Sequence, residues 1–78
     1  MYEAVLGFNT KQWWVYDNDN DVFIDPPTEV LDDIERMFPG SIRENSDAAQ
    51  EYLTDLCNNE KPDWLNDEDY WYDADIDI

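Results

Sequence analysis

Histidine is absent from this 78-residue chain, cysteine occurs once, and Lys and Arg together number four against 21 Asp and Glu. Without His the commonest general base near neutral pH is missing, and neither a Ser/His nor a Cys/His nucleophile pair can be assembled. A single Cys57 excludes an intrachain disulfide, and with it a secreted disulfide scaffold, so a reducing cytoplasm is the expected compartment. No stretch approaches the roughly 20 apolar residues of a membrane span. Met1 to Phe8 lacks the basic cluster and long apolar run of a signal peptide. The shortage of cations sets aside nucleic acid as a direct ligand, because phosphate binding requires a Lys and Arg surplus, and an anionic membrane surface would repel the chain. No zinc pattern, Walker loop or dinucleotide fingerprint is present, and a chain this short offers no deep cleft for carboxylate chemistry. The expectation is a protein that is not an enzyme and takes no cofactor and no metal.

What is present is charge and aromatic bulk together. The formal net charge is -17, while hydrophobic residues make up 42% and aromatics 15% of the chain, with four Trp, five Tyr and three Phe. That is too apolar for the usual highly charged disordered segment, so residues 1–78 are expected to fold as a single domain around one small core. Close like charges oppose compaction, so a negative field of this density points to a strongly basic partner.

Patterning predicts an α+β domain: a small antiparallel sheet of three to four strands with two α-helices packed on one face. From Tyr2 to Phe8 the alternation places Tyr2, Ala4, Leu6 and Phe8 on one side of a strand and Glu3, Val5 and Gly7 on the other. Gln12 to Tyr16 reads as a second strand between Asn9-Thr10 and the Asp17-Asn18-Asp19-Asn20 turn, and Val22 to Ile24 as a short third. Asp25-Pro26-Pro27-Thr28 stops the sheet and opens a helix capped by Asp25 or Thr28, with Val30, Leu31, Ile34, Met37 and Phe38 at helical spacing. Pro39-Gly40 ends it. A second helix runs from about Ser46, a candidate cap, to Cys57, with Ala48, Ala49, Tyr52, Leu53, Leu56 and Cys57 on one side.

The remaining segment, 62–78, holds seven acids and no base, interleaved with Trp64, Leu65, Tyr70, Trp71 and Tyr72. Its end alternates Asp73, Asp75 and Asp77 with Ala74, Ile76 and Ile78, so an added strand would expose three carboxylates in one row at roughly 6.6 to 6.8 Å. Asp63, Asp67, Glu68 and Asp69 precede that row, and Asp17, Asp19 and Asp21 form a separate cluster. The latter imitates the opening of a calcium loop but has Val22 where Gly is needed and Thr28 at the twelfth position, so a hairpin turn accounts for it better. Trp13 and Trp14 are adjacent, so on a strand one enters the core and the other needs cover. Trp14, Trp64 and Trp71 are candidates for partner contact, with cover by a helix or the tail as the alternative.

A small, acidic, aromatic-containing, His-free chain of this kind resembles the DNA-mimic inhibitors of bacteriophages, anti-CRISPR proteins especially, and the anti-restriction and uracil-DNA-glycosylase inhibitors. The resemblance lies in size, charge and composition. It implies that the acidic face docks in the DNA or protospacer-adjacent-motif cleft of a basic protein or ribonucleoprotein, a CRISPR-Cas effector above all. Asp63, Asp67, Glu68, Asp69, Asp73, Asp75 and Asp77 would then stand in for phosphates beside Trp64 and Trp71, with Asp17, Asp19 and Asp21 as a further patch. The chain itself would be a monomer or a homodimer. A reading of another class is an adaptor whose acidic-aromatic 62–78 segment folds on a partner's hydrophobic or basic surface.

Overall fold

The computed structural model describes all 78 residues. Strands β1 (Tyr2–Gly7), β2 (Gln12–Asp17) and β3 (Val22–Ile24) form an antiparallel meander, and β4 (Trp71–Asp73) completes a sheet of order β1-β2-β3-β4. Two helices lie between β3 and β4 in sequence, α1 (Thr28–Met37) and α2 (Ser46–Asp55). No helix is long and apolar enough to cross a membrane. The α+β arrangement expected from the pattern is the one observed.

Register divides the sheet into two unlike faces. Ala4 pairs with Val15 and Val15 with Ile24, which puts them on the same side as Leu6 and its partner Trp13. That side is the core, where Ala4, Trp13, Val15 and Ile24 meet Ile34 of α1, Ala49 and Leu53 of α2, and Cys57 and Leu65. Phe8 has left the strand and is 81% exposed in the β1–β2 turn, and Met37 turns outward from the stripe of α1. Ala48 is likewise exposed rather than on the packed side of α2.

The helix ends differ from expectation. Neither Asp25 nor Thr28 caps α1: Pro27 is the N-cap residue, and the Asp25 carboxylate accepts from Gln12 Nε2 (2.8 Å) on β2 instead. Ser46 is the first residue of α2 and its N-cap, Asn45, makes no side-chain bond there. After Asp55 the chain widens into a π-type turn, Leu56–Glu60, before Lys61 reverses it at φ 48°. Glu35 acts at the far end of α1, accepting from the Gly40 amide and the Ser41 hydroxyl, both at 3.0 Å. Those two donors hold the Glu35 carboxyl below the usual carboxylate range.

Helix α2 also seals the outer edge of β1. The amides of Tyr2 and Ala4 donate to Asn58 Oδ1 (2.8 Å) and Thr54 Oγ1 (3.0 Å). Their carbonyls accept from Asn58 Nδ2 (2.8 Å) and Gln50 Nε2 (2.9 Å). Gln50, Thr54 and Asn58 recur every four residues, so they form one polar stripe beside the apolar stripe of Ala49, Leu53 and Cys57. An edge that would otherwise template strand pairing is closed by uncharged side chains.

The chain's end supplies the cover that Trp14 needs on the other face. The Ile78 carbonyl oxygen accepts from the amides of Asn9 (2.7 Å) and Thr10 (2.9 Å), and Trp14 Nε1 donates to Thr10 Oγ1 (2.8 Å). Tyr72 meets Trp14 edge to face with ring centroids 5.5 Å apart, and Trp14 is only 5% exposed. Gly7 makes this closure possible. A Cβ there would collide with Thr10 Oγ1 and lie 2.7 Å from the Ile78 oxygen and 2.9 Å from Trp14 Nε1. Gly7→Ala is therefore expected to cost about 1–3 kcal/mol in urea unfolding and to shift tryptophan emission to the red as Trp14 gains water. Unchanged stability and emission would show that the tail is not seated against Gly7.

Candidate functional site

Most of the sequence-predicted acidic residues are divided between the two ends of the sheet. Tyr2, Asp17, Val22 and Asp73 share one cross-strand row, so the Asp17–Asp21 turn and the end of β4 lie at the same end. Asp19, Asp21, Asp73 and Asp75 are exposed there. At the other end, Asp67 and the 3-10 turn Glu68–Tyr70 lead into β4, while Asp63 opens an earlier 3-10 turn, Asp63–Asn66. The Tyr70 carbonyl accepts from the Asp25 amide (2.9 Å), and a shallow hollow nearby is lined by Asp25, Glu29, Asp32 and Tyr70. Glu29 and Asp32 were legible as an i, i+3 pair on a helix, but only the fold brings them beside Tyr70.

Two of the predicted placements require correction. Asp73, Asp75 and Asp77 do not form a row on an added strand. β4 stops at Asp73, whose carbonyl accepts from the Ile76 amide (3.1 Å), so the backbone turns there. The Asp77 carbonyl is reached by Asn9 Nδ2 (3.3 Å), which places Asp77 by the β1–β2 turn at the opposite end. The tail instead runs back to Gly7, with Ile76 left exposed along the way. Asp17 is the second correction. At 2% exposed it is no partner-facing charge. Its carboxylate accepts from the amides of Asp19 (3.0 Å) and Asn20 (3.3 Å) and from Asn20 Nδ2 (2.7 Å), which shapes the turn.

Trp64 and Trp71 are not free anchors either. Both are partly buried against the core, and Trp71 Nε1 donates to the Leu65 carbonyl (3.0 Å). Leu65 is buried and β4 pairs with β3, so the segment 62–78 is tied to the core at Leu65 and to the sheet at Trp71–Asp73.

The aromatic feature that sequence reading missed is a row across the helix-free face. Glu3 pairs with Tyr16, Tyr16 with Phe23 and Phe23 with Tyr72. None of these four belongs to the core or packs against it. The signal was present as odd-even alternation, but register alone aligns the four positions. Asp21 accepts from the Tyr16 hydroxyl, and that bond raises the phenol's pKa.

No cluster of three His, Cys, Asp or Glu side chains is disposed to hold a metal ion. Cys57 is fully buried and its thiol is pushed up to about 12 by desolvation, which leaves it protonated at neutral pH. The arrangement leaves carboxylates and aromatic rings at the surface. No family model, characterised protein or solved structure matches the chain.

Because Asp17 and Asp75 differ in burial, their substitutions should separate structural from surface acids. Asp17→Ala is expected to lose about 1–3 kcal/mol in urea unfolding through loss of three hydrogen bonds to a charged, buried acceptor, whereas Asp75→Ala should leave the midpoint unchanged or raise it. Equal effects would contradict the placement of these two side chains.

Proposed function

We propose that this chain is an acidic inhibitor that occupies the DNA-binding cleft of a host-defence complex, a CRISPR-Cas effector above all, in the cytoplasm where such complexes work. The observation that carries this reading is the disposition of charge on a folded surface. Of 21 Asp and Glu, all but Asp17 and Asp25 are exposed, leaving 19 at the surface. Asp33 alone has a Lys or Arg partner, Arg36 at 2.9 Å, and Asp19 meets the Met1 amino group at 3.1 Å. The net charge of -17 over 5052 Å² of surface (5052/17) is about one unit per 300 Å². A field this uncompensated destabilises its own fold and favours association with a surface of opposite sign.

Binding rather than catalysis is the function the chemistry supports. Arg and Lys side chains that line a DNA cleft would meet the acidic ends in place of phosphates, through charge-assisted hydrogen bonds that are short and strong once desolvated. Asp19, Asp21 and Asp73 at one end of the sheet, and Asp63, Glu68 and Asp69 in the 3-10 turns before β4, are the residues to test. Long-range attraction would gather the complex quickly, and the contacts formed on docking would set its lifetime.

The test is the rate of association with a purified, guide-loaded CRISPR-Cas effector between 50 and 300 mM NaCl, values chosen to shorten the Debye length by more than half. The rate is expected to fall at least about tenfold across that range. Asp19→Asn, Asp21→Asn and Asp73→Asn together, or Asp63→Asn, Glu68→Gln and Asp69→Asn together, should slow it further without lowering the unfolding midpoint. A salt-independent rate, or neutralised variants that inhibit as well as the parent, would overturn the reading.

A further inference from the structure

We propose that the helix-free face of the sheet docks an arginine-bearing extended segment of the basic partner, with guanidinium groups stacked along the Tyr16–Phe23–Tyr72 row. This rests on the reading above and names both the surface and the chemistry it takes. The row crosses the sheet from Glu3 on β1 to Tyr72 on β4. Adjacent strands lie about 4.8 Å apart, so the three rings and one carboxylate span roughly 14 Å. Tyr72 is 43% exposed, Tyr16 and Phe23 are half-buried, and the helices and core lie on the other side. The Tyr16 and Phe23 rings pack against each other, tilted by 54° with centroids 5.5 Å apart.

Charge identifies the occupant. The outward positions of the four strands on this face are Glu3, Val5, Gly7, Gln12, Trp14, Tyr16, Phe23 and Tyr72, and none is basic. Aromatic rows on sheets also suit nucleic-acid bases, but phosphates would be repelled by Glu3, by Asp21 at the Tyr16 hydroxyl, and by the net charge of -17. A cation is attracted by the same groups and by the ring faces. Guanidinium is the better fit, since it is planar, weakly hydrated and able to stack on a ring while its N–H edge reaches a carboxylate. Glu3 opposite Tyr16 and Asp21 on its hydroxyl supply carboxylates at both margins of that ring.

The experiment is a titration of the full chain with acetylated, amidated hexa-arginine and, separately, hexa-lysine, followed by ring-proton and backbone NMR shifts in 150 mM NaCl. Hexa-arginine is expected to bind at least about tenfold more tightly than hexa-lysine, with the largest shifts at the Tyr16, Phe23 and Tyr72 rings. Replacing all three by Leu keeps apolar area but removes the ring quadrupoles, and should weaken hexa-arginine binding by about tenfold or more while hexa-lysine changes little. Should the triple variant fail to fold, Tyr72→Leu alone and the wild-type shift map decide. Hexa-arginine binding that maps only to residues 63–69 and survives the Leu replacements overturns the docking surface while leaving the acidic-inhibitor reading standing. Failure of both peptides to bind even at 20 mM NaCl overturns both readings.

Discussion

Like-charge repulsion among exposed carboxylates is the constraint under which every other part of this structure operates. A core of nine buried residues has to hold 78 together against it, and with four Lys and Arg the chain has almost no cations with which to compensate. The fold answers by giving carboxylates N–H and O–H donors instead. Asp17 takes three donors in its turn, Glu35 two beyond the end of α1, Asp25 the Gln12 amide, and Asp67 the Asp69 amide. Acids used in this way stabilise turns and helix ends through hydrogen bonds to a charged acceptor. The β1 edge is protected by Gln50, Thr54 and Asn58, where many sheets use Lys, so edge protection consumes none of the scarce cations.

Register then assigns the two faces their separate work. Ala4, Trp13, Val15 and Ile24 face the helices, while the alternate positions build an aromatic surface that only the chain's last residues cover, and only around Trp14. The acidic turns at both ends of the sheet frame that surface. Strands carry the aromatic row, while the exposed acids are shared between the two helices and the turns.

The sheet, both helices and the core stripe were legible because each rests on a local period of two or of 3.6. Ile34, Leu53 and Cys57 lie where those periods put them. The candidate site residues were less legible, for reasons specific to each. Asp73-Ala74-Asp75-Ile76-Asp77-Ile78 alternates like a strand, yet its hydrogen bonds go to a turn at Asp73 and to Asn9 and Thr10, choices that alternation cannot encode. Asp17 carries the same side chain as Asp19, and only the pairing of β2 with β3 buries one and exposes the other. Asp25 looked like a helix cap because of the prolines after it, but Gln12 on the neighbouring strand claims its carboxylate. The Glu3–Tyr16–Phe23–Tyr72 row joins residues almost 70 positions apart, and composition records only that the aromatics exist.

The proposed competition is between this acidic surface and DNA for one site on a basic protein. Its most direct test immobilises the purified chain, passes over it bacterial lysate containing CRISPR-Cas and restriction systems, and adds short duplex DNA to the washed resin. Release of a defined nuclease complex by the duplex is the predicted result. Retention of the captured protein at saturating DNA would contradict the claim, since a partner held outside its DNA site has no reason to leave.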